Sequence, residues 1–207
     1  MCIRDRWNIL YIEVTGNTHP LCNQYVHGVC EELGVSNKLI HAKREDLDFF
    51  EALRKWGVPL IGKYRWCLYQ FKLKCMKKSY LTQVTGIKRS DSHKRRTIMP
   101  IDIIRITGYV TVNPLYDWDE RKVILYIKEH GVPLNPCYDL YGHSGNCMYC
   151  PYFSKREIYR TLQDPEWREK ILDALRAVKA RRSEGMKRSK EKWLWMASQL
   201  PLVEVVK

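Results

Sequence analysis

The sequence predicts an α/β fold: a parallel sheet with helices on both faces, then a cysteine-rich loop and a helical carboxyl-terminal part. Three observations carry this. In the first half, short apolar runs alternate with segments of helical periodicity, the pattern of strand–helix units in a parallel sheet. The apolar runs stop at glycine or polar turns. From residue 119 onward the periodicity is helical, broken only by a run of Cys, Gly and Pro between residues 135 and 151.

Ile9-Leu10-Tyr11-Ile12-Glu13-Val14 reads as a buried strand, stopped by Thr15-Gly16-Asn17. Pro20 to Leu33 reads as a helix: proline suits its first turn, Tyr25, Val26, Val29 and Leu33 fall at helical spacing, and Gly34 stops it. Leu39-Ile40-His41 follows as a strand. Residues 45–56 form a helix with Leu47, Phe50, Leu53 and Trp56 as its stripe, and residues 67–79 read as helical too. Tyr80 to Thr85 is a strand ended by Gly86. Ile103 to Val112 is one strand or two, interrupted at Gly108. Helices are expected over 119–130, capped by Asp119, over 154–163 and 165–183, capped by Ser154 and Asp164, and over 187–199, where Trp193, Leu194 and Trp195 lie.

In parallel sheets ligands bind beyond the carboxyl ends of strands. Two loops therefore become candidates: Thr15-Gly16-Asn17 and Gly86 to Arg96. The chain carries 36 Lys and Arg against 23 Asp and Glu, a formal charge of +13. That balance points to an anionic partner, nucleotide or nucleic acid. Charge concentrates at residues 86–96, with Lys88, Arg89, Lys94, Arg95 and Arg96 against Asp91, and at residues 179–192. Guanidinium and ammonium groups complement phosphate or sulfate oxygens, so Lys88, Ser92 and Arg95 are the candidate anion ligands, with Thr15 and Gly16 lining a nucleoside pocket. A solvated basic hairpin and a simple strand-ending turn are the plainer alternatives.

No run approaches the roughly 18 apolar residues of a membrane span. Eight cysteines behind a polar start predict a reducing, cytoplasmic compartment, where metal or redox chemistry outranks a disulfide framework. Cys147-Met148-Tyr149-Cys150 places two thiols at the spacing that binds one metal, with Cys137 upstream and Cys67 before a helical stretch. Four thiolates suit a [4Fe–4S] cluster, favoured by Pro151 after the last cysteine, or alternatively zinc. Cys22, Cys30 and Cys75 read as small buried residues on helices.

Several of these pieces together resemble the phosphoadenosine phosphosulfate (PAPS) reductase family, within the Rossmann-like adenine nucleotide alpha hydrolase-like fold. Val14-Thr15-Gly16-Asn17 is similar to the family's Asp-Thr-Gly-type turn, and Trp66-Cys67 followed by Lys72 to its Cys-x-x-x-x-Lys segment. Gly86-Ile87-Lys88-Arg89-Ser90-Asp91-Ser92-His93-Lys94-Arg95 resembles its Gly-Ile-Arg-x-x-Glu-Ser-x-x-Arg loop, with Lys88 in place of arginine. Asn113-Pro114-Leu115-Tyr116-Asp117-Trp118, then Val123, Tyr126-Ile127, Pro133, Asn135, Tyr138, Gly142 and the cysteine pair, is similar to its tail.

The likeness covers about residues 8–163, leaving 164–207 as a basic helical extension. The family's Ser-Gly-Gly-x-Asp-Ser nucleotide loop would fall before residue 8. The expectation is therefore a domain without its first strand and nucleotide loop, inactive in this form, with residues 1–6 foreign and an exposed apolar edge at Ile9–Val14. No cysteine follows Cys150, where the family's reductases carry a Glu-Cys-Gly-type segment. Trp66 stands where cluster-binding relatives have a second cysteine, a ligand that Cys137 would have to supply.

The resemblance implies an enzyme of sulfur metabolism acting on an adenylated sulfonucleotide or ATP, with a thiol or ferredoxin as electron donor and catalytic residues unassigned. The alternatives are an ATP-dependent sulfur transferase acting on RNA, and a non-catalytic, zinc-stabilised module that binds nucleic acid.

Overall fold

The computed structural model describes residues 7–60, 64–76, 82–104, 108–178 and 184–200. Expectations placed on residues 1–6, on Tyr80 and Leu81, and on Lys179, Arg181 and Arg182 lie outside these. The chain divides into two compact units, residues 1–75 with 135–207, and residues 76–134.

The first unit opens with β1 (Ile9–Ile12), α1 (Pro20–Glu32), β2 (Leu39–Ala42) and α2 (Phe49–Trp56). β1 and β2 pair in parallel, Ile9 opposite Leu39 through Ile12 opposite Ala42. This is the strand–helix–strand unit that the apolar alternation predicts. Among the described residues β1 has β2 as its sole strand partner, and both strands are half-buried. α2 starts four residues later than periodicity suggested. Asp48 explains this: its carboxylate accepts hydrogen bonds from Phe50 N at 2.7 Å and Glu51 N at 3.1 Å, capping the helix there.

Residues 67–76 do not continue as a regular helix. A π-helical turn, Leu68–Lys72, runs into a 3₁₀ turn, Leu73–Cys75.

The first unit resumes with a one-turn helix that periodicity missed, α4 (Cys137–Tyr141), after which come α5 (Lys155–Gln163), α6 (Pro165–Ala177) and α7 (Glu184–Ser198). The predicted caps are in place: Ser154 accepts from Glu157 N, and Asp164 from Glu166 N and Trp167 N. Helices α5 to α7 share one aromatic core with α2. Phe49, Phe50, Trp66, Phe71, Tyr149, Trp167 and Trp193 are all buried in it. Burying such a side chain contributes on the order of 2–3 kcal/mol. Trp193 is fully buried, whereas Trp195 stays 54% exposed. Two lysines of the basic run serve as backbone partners: Lys190 Nζ donates to Val178 O at 2.9 Å and Lys192 Nζ to Phe153 O at 2.6 Å. No helix among the described residues is long and apolar enough to cross a membrane.

The second unit holds β3 (Thr82–Val84), β4 (Ile101–Ile104), β5 (Tyr109–Val112) and α3 (Glu120–Glu129). The stretch around Gly108 is thus two strands. β5 lies in the middle, parallel to β3 and antiparallel to β4. The α/β class with parallel pairing holds, and the described strands form a two-stranded and a three-stranded sheet.

Candidate functional site

The Thr15-Gly16-Asn17 turn is built into the first unit from both sides. Thr15 Oγ1 donates to Arg44 O at 2.5 Å, and Phe49 N donates to Thr15 O at 2.9 Å. Gly16 has φ +81°, and a Cβ there would lie 1.8 Å from Asp48 Oδ2, so backbone conformation and space both require glycine. Asn17 is fully buried. Its Nδ2 donates to Tyr149 O at 3.0 Å, its Oδ1 accepts from Tyr149 N at 2.8 Å, and its own carbonyl accepts from Met148 N at 2.7 Å. Thr18 Oγ1 donates to Asn146 O, and His19 N to Gly145 O. The strand-end turn and the cysteine loop are therefore one stitched structure.

Within that structure several thiols feel one another's charge. Cys67, Cys147 and Cys150 are half-buried and feel one another's charge: Cys67 acts on both loop thiols, and Cys147 on Cys150. Burial pushes all three thiols up, Cys150 to about 12, while Arg65 works to lower them and Lys72 does so at Cys67 and Cys147. Cys137 feels Cys22, which also acts on Cys147. Cys137 is fully buried, with its pKa pushed up to about 11 by burial and then by the charge of Cys22. Its Sγ lies 2.6 Å from where a Cβ on Gly145 would be. Cys22 in turn sits 3.4 Å from Tyr11 Oη.

Cys22 thus acts on both Cys137 and Cys147, and Cys67 on Cys147 and Cys150, so the thiols form one linked series. Among the described residues no three His, Cys, Asp or Glu side chains are arranged to hold a metal ion. Trp66 is structural: its indole Nε1 donates to Gly57 O at 2.9 Å and its ring lies 5.3 Å from those of Phe49 and Trp56.

Lys88, Ser92 and Arg95 lie in the second unit: Lys88 precedes the first of two 3₁₀ turns, Arg89–Asp91, Ser92 separates it from the second, His93–Arg95, and Arg95 ends that one. Asp91 is their hub. Its Oδ1 takes Lys88 Nζ at 2.8 Å and its Oδ2 takes Arg95 Nη1 at 2.5 Å and Lys88 N at 3.1 Å. Partial burial works to raise the Asp91 pKa, but the hydrogen bonds and charge of Lys88, with Arg95 behind them, outweigh it and hold the carboxyl below the usual range. The turn is pinned to the segment after β5. Arg89 N donates to Tyr116 O at 2.8 Å, and Ser90 Oγ to Trp118 O at 2.9 Å. Beneath it, buried Asn113 accepts from Thr85 Oγ1 at 2.6 Å and donates to Met99 O at 2.9 Å.

Asp91 as an organiser, and Arg65 and Lys72 as the cations beside the thiols, are roles that residue spacing did not assign. The signal for Asp91 was present: one carboxylate with Lys88, Lys94 and Arg95 three and four residues away.

A model of the phosphoadenosine phosphosulfate reductase domain matches residues 1–164. The chain belongs to this family. It is 30% identical over 131 residues to a phosphoadenosine 5'-phosphosulfate reductase of Klebsiella pneumoniae, covering 60% of this chain and 52% of that protein. It is 31% identical over 87 residues to an adenosine 5'-phosphosulfate reductase of Allochromatium vinosum, covering 41% of this chain and 34% of that one. The chain therefore spans about half the length of the Klebsiella relative, or less of the other. A crystal structure of the PAPS reductase from Candida auris, in a phosphate complex, superposes with a TM-score of 0.48 at 22% identity, over 66% of this chain and 68% of that one.

Proposed function

We propose that the family member acts on an adenylated sulfonucleotide in sulfur metabolism, and that the turn Gly86–Arg96 grips the substrate's sulfate or phosphate oxygens. The observation that carries the reading is the Asp91 hub. A flexible lysine and arginine bind anions poorly when each must be ordered first. Here one carboxylate holds both in place before any ligand arrives. Lys88 offers a point charge, Arg95 a planar fork, and Ser92 a hydroxyl.

In reductive cleavage a thiolate attacks the sulfonucleotide's sulfur, the sulfur–oxygen bond to the nucleotide phosphate breaks, and the phosphate leaves with the electron pair. Cations at the turn would stabilise the charge gathering on that phosphate. Burial raises the thiols of Cys67, Cys147 and Cys150 in the first unit. The attacking thiolate is assigned to a separate thiol donor.

Calorimetric titration with PAPS and with ATP tests it. Arg95→Ala should weaken binding of the accepted nucleotide by about 1–3 kcal/mol, the scale of a charge-assisted hydrogen bond. Unchanged affinity for both nucleotides would return the turn to plain surface charge.

A further inference from the structure

The second unit holds a cavity of about 430 Å³ whose lining excludes Lys88, Asp91 and Arg95. Arg89 and Arg96 of the basic turn, Tyr116 and Trp118 of the segment after β5, and Lys122 of α3 contribute to it. Its cations are not equally engaged. Arg89 Nη1 is 3.3 Å from Asp117 Oδ1, a solvent-exposed pair. Asp119, the other carboxylate in the lining, is occupied as the cap of α3, accepting from Lys122 N at 2.7 Å. Among the described residues, neither Arg96 nor Lys122 has a carboxylate partner within ion-pair distance.

Two of the cations lie over aromatic rings. Lys122 Nζ lies 4.9 Å from the Trp118 ring centroid, and the Arg89 guanidinium 6.0 Å from that of Tyr116. Trp118 is braced edge-on by Tyr126 at 5.4 Å, which holds its plane while its face carries the lysine. An exposed cation on a ring is weakly held. A phosphate draws it off and leaves the ring face free for another flat group.

We propose that this cavity binds a single-stranded nucleic acid, with phosphodiester oxygens on Arg96 and Lys122 and a base stacked on Trp118. The cavity is largely open to solvent. A small ligand gains affinity by burying most of its surface, which an open cavity does not provide. A strand gains it from successive phosphate contacts and sequence-tolerant stacking while its backbone stays in water. The chain's formal charge of +13 adds long-range attraction for a polyanion.

The test is fluorescence anisotropy of the full chain with a labelled oligouridylate of about ten nucleotides, between about 50 and 200 mM KCl. Uridine monophosphate and inorganic phosphate serve as competitors. The strand should bind, with affinity falling steeply as salt rises. The Arg96→Ala, Lys122→Ala double variant should bind at least about tenfold more weakly and lose about two units of salt slope. Trp118→Leu should weaken binding with the slope kept. Arg96→Lys with Lys122→Arg should retain binding, which separates lost charge from lost folding, and circular dichroism checks each variant. Absence of binding by the unsubstituted chain at the lowest salt, or equal affinity and slope in the double variant, would overturn the proposal. So would competition by uridine monophosphate at the oligonucleotide's own concentration, which would make this a small-nucleotide site.

Discussion

The cysteine loop of the first unit and the basic turn of the second are both short irregular segments, yet they hold ionisable groups in opposite states. Around the cysteine loop, burial keeps groups neutral: Cys137 and Cys150 are pushed up to about 11 and 12, and His143 is pushed down to about 4. In the basic turn the charges persist, because Lys88, Asp91 and Arg95 balance one another at a partly solvated surface. Desolvation governs the first region and pairing the second. The first should therefore be stiff and sensitive to substitution. The second should be tolerant in stability and sensitive in binding.

The largest effect expected from this contrast is at Gly16. A methyl group there meets the Asp48 carboxylate that caps α2, at a φ of +81°. Gly16→Ala should cost about 2–4 kcal/mol, the sum of a lost cap and left-handed strain. Urea unfolding measures it, and a loss under about 0.5 kcal/mol would show that the turn is not clamped.

A pH experiment sharpens the comparison next. His143 is buried, its Nε2 within 3.0 Å of Thr161 Oγ1 and its ring stacked 4.2 Å from that of Phe153. Desolvation lowers its pKa from 6.5 to about 4. The unfolded chain thus takes a proton between those values that the folded chain refuses. Its contribution is complete above pH 6.5 and shrinks as pH falls toward about 4, by at most about 3 kcal/mol. His143→Gln should flatten that part of the stability–pH curve. The thiols act with the opposite sense: with raised pKa values they lose stability as pH climbs from about 9 toward 11 and 12.

The smallest expected effect is at Asp91. Its ion pairs lie at a surface where such pairs are worth about 0–1 kcal/mol, so Asp91→Asn should leave the urea midpoint nearly unchanged. The same variant should weaken nucleotide binding, because Lys88 and Arg95 lose the group that orders them. Loss of stability as large as that expected for Gly16→Ala would make the turn a structural element like the cysteine loop, and the contrast would fail.

Much of the fold was legible because it depends on local chemistry. Pro20 at a helix start, Asp119, Ser154 and Asp164 as caps, and the apolar spacing of the strands act over a few residues, and the sequence displays them. The irregular turns at Leu68–Cys75 were not legible, since Phe71, Trp66 and Phe49 share one packed cluster and tertiary packing sets the backbone there. The family likeness too was in the residues, through the order of the motifs rather than any one of them.

Which cysteines meet was a tertiary matter. Spacing joined Cys147 to Cys150 and could only add Cys67 and Cys137 by count. The bonds of Asn17 to Tyr149 and Met148 fix how the loop sits on the turn after β1. Cys22 on α1 acts on both Cys137 and Cys147, while Cys67 acts on the loop pair. Contacts across more than a hundred residues have no periodicity to reveal them. They follow from the burial of polar groups that must find partners, and only the folded chain shows which partners those are.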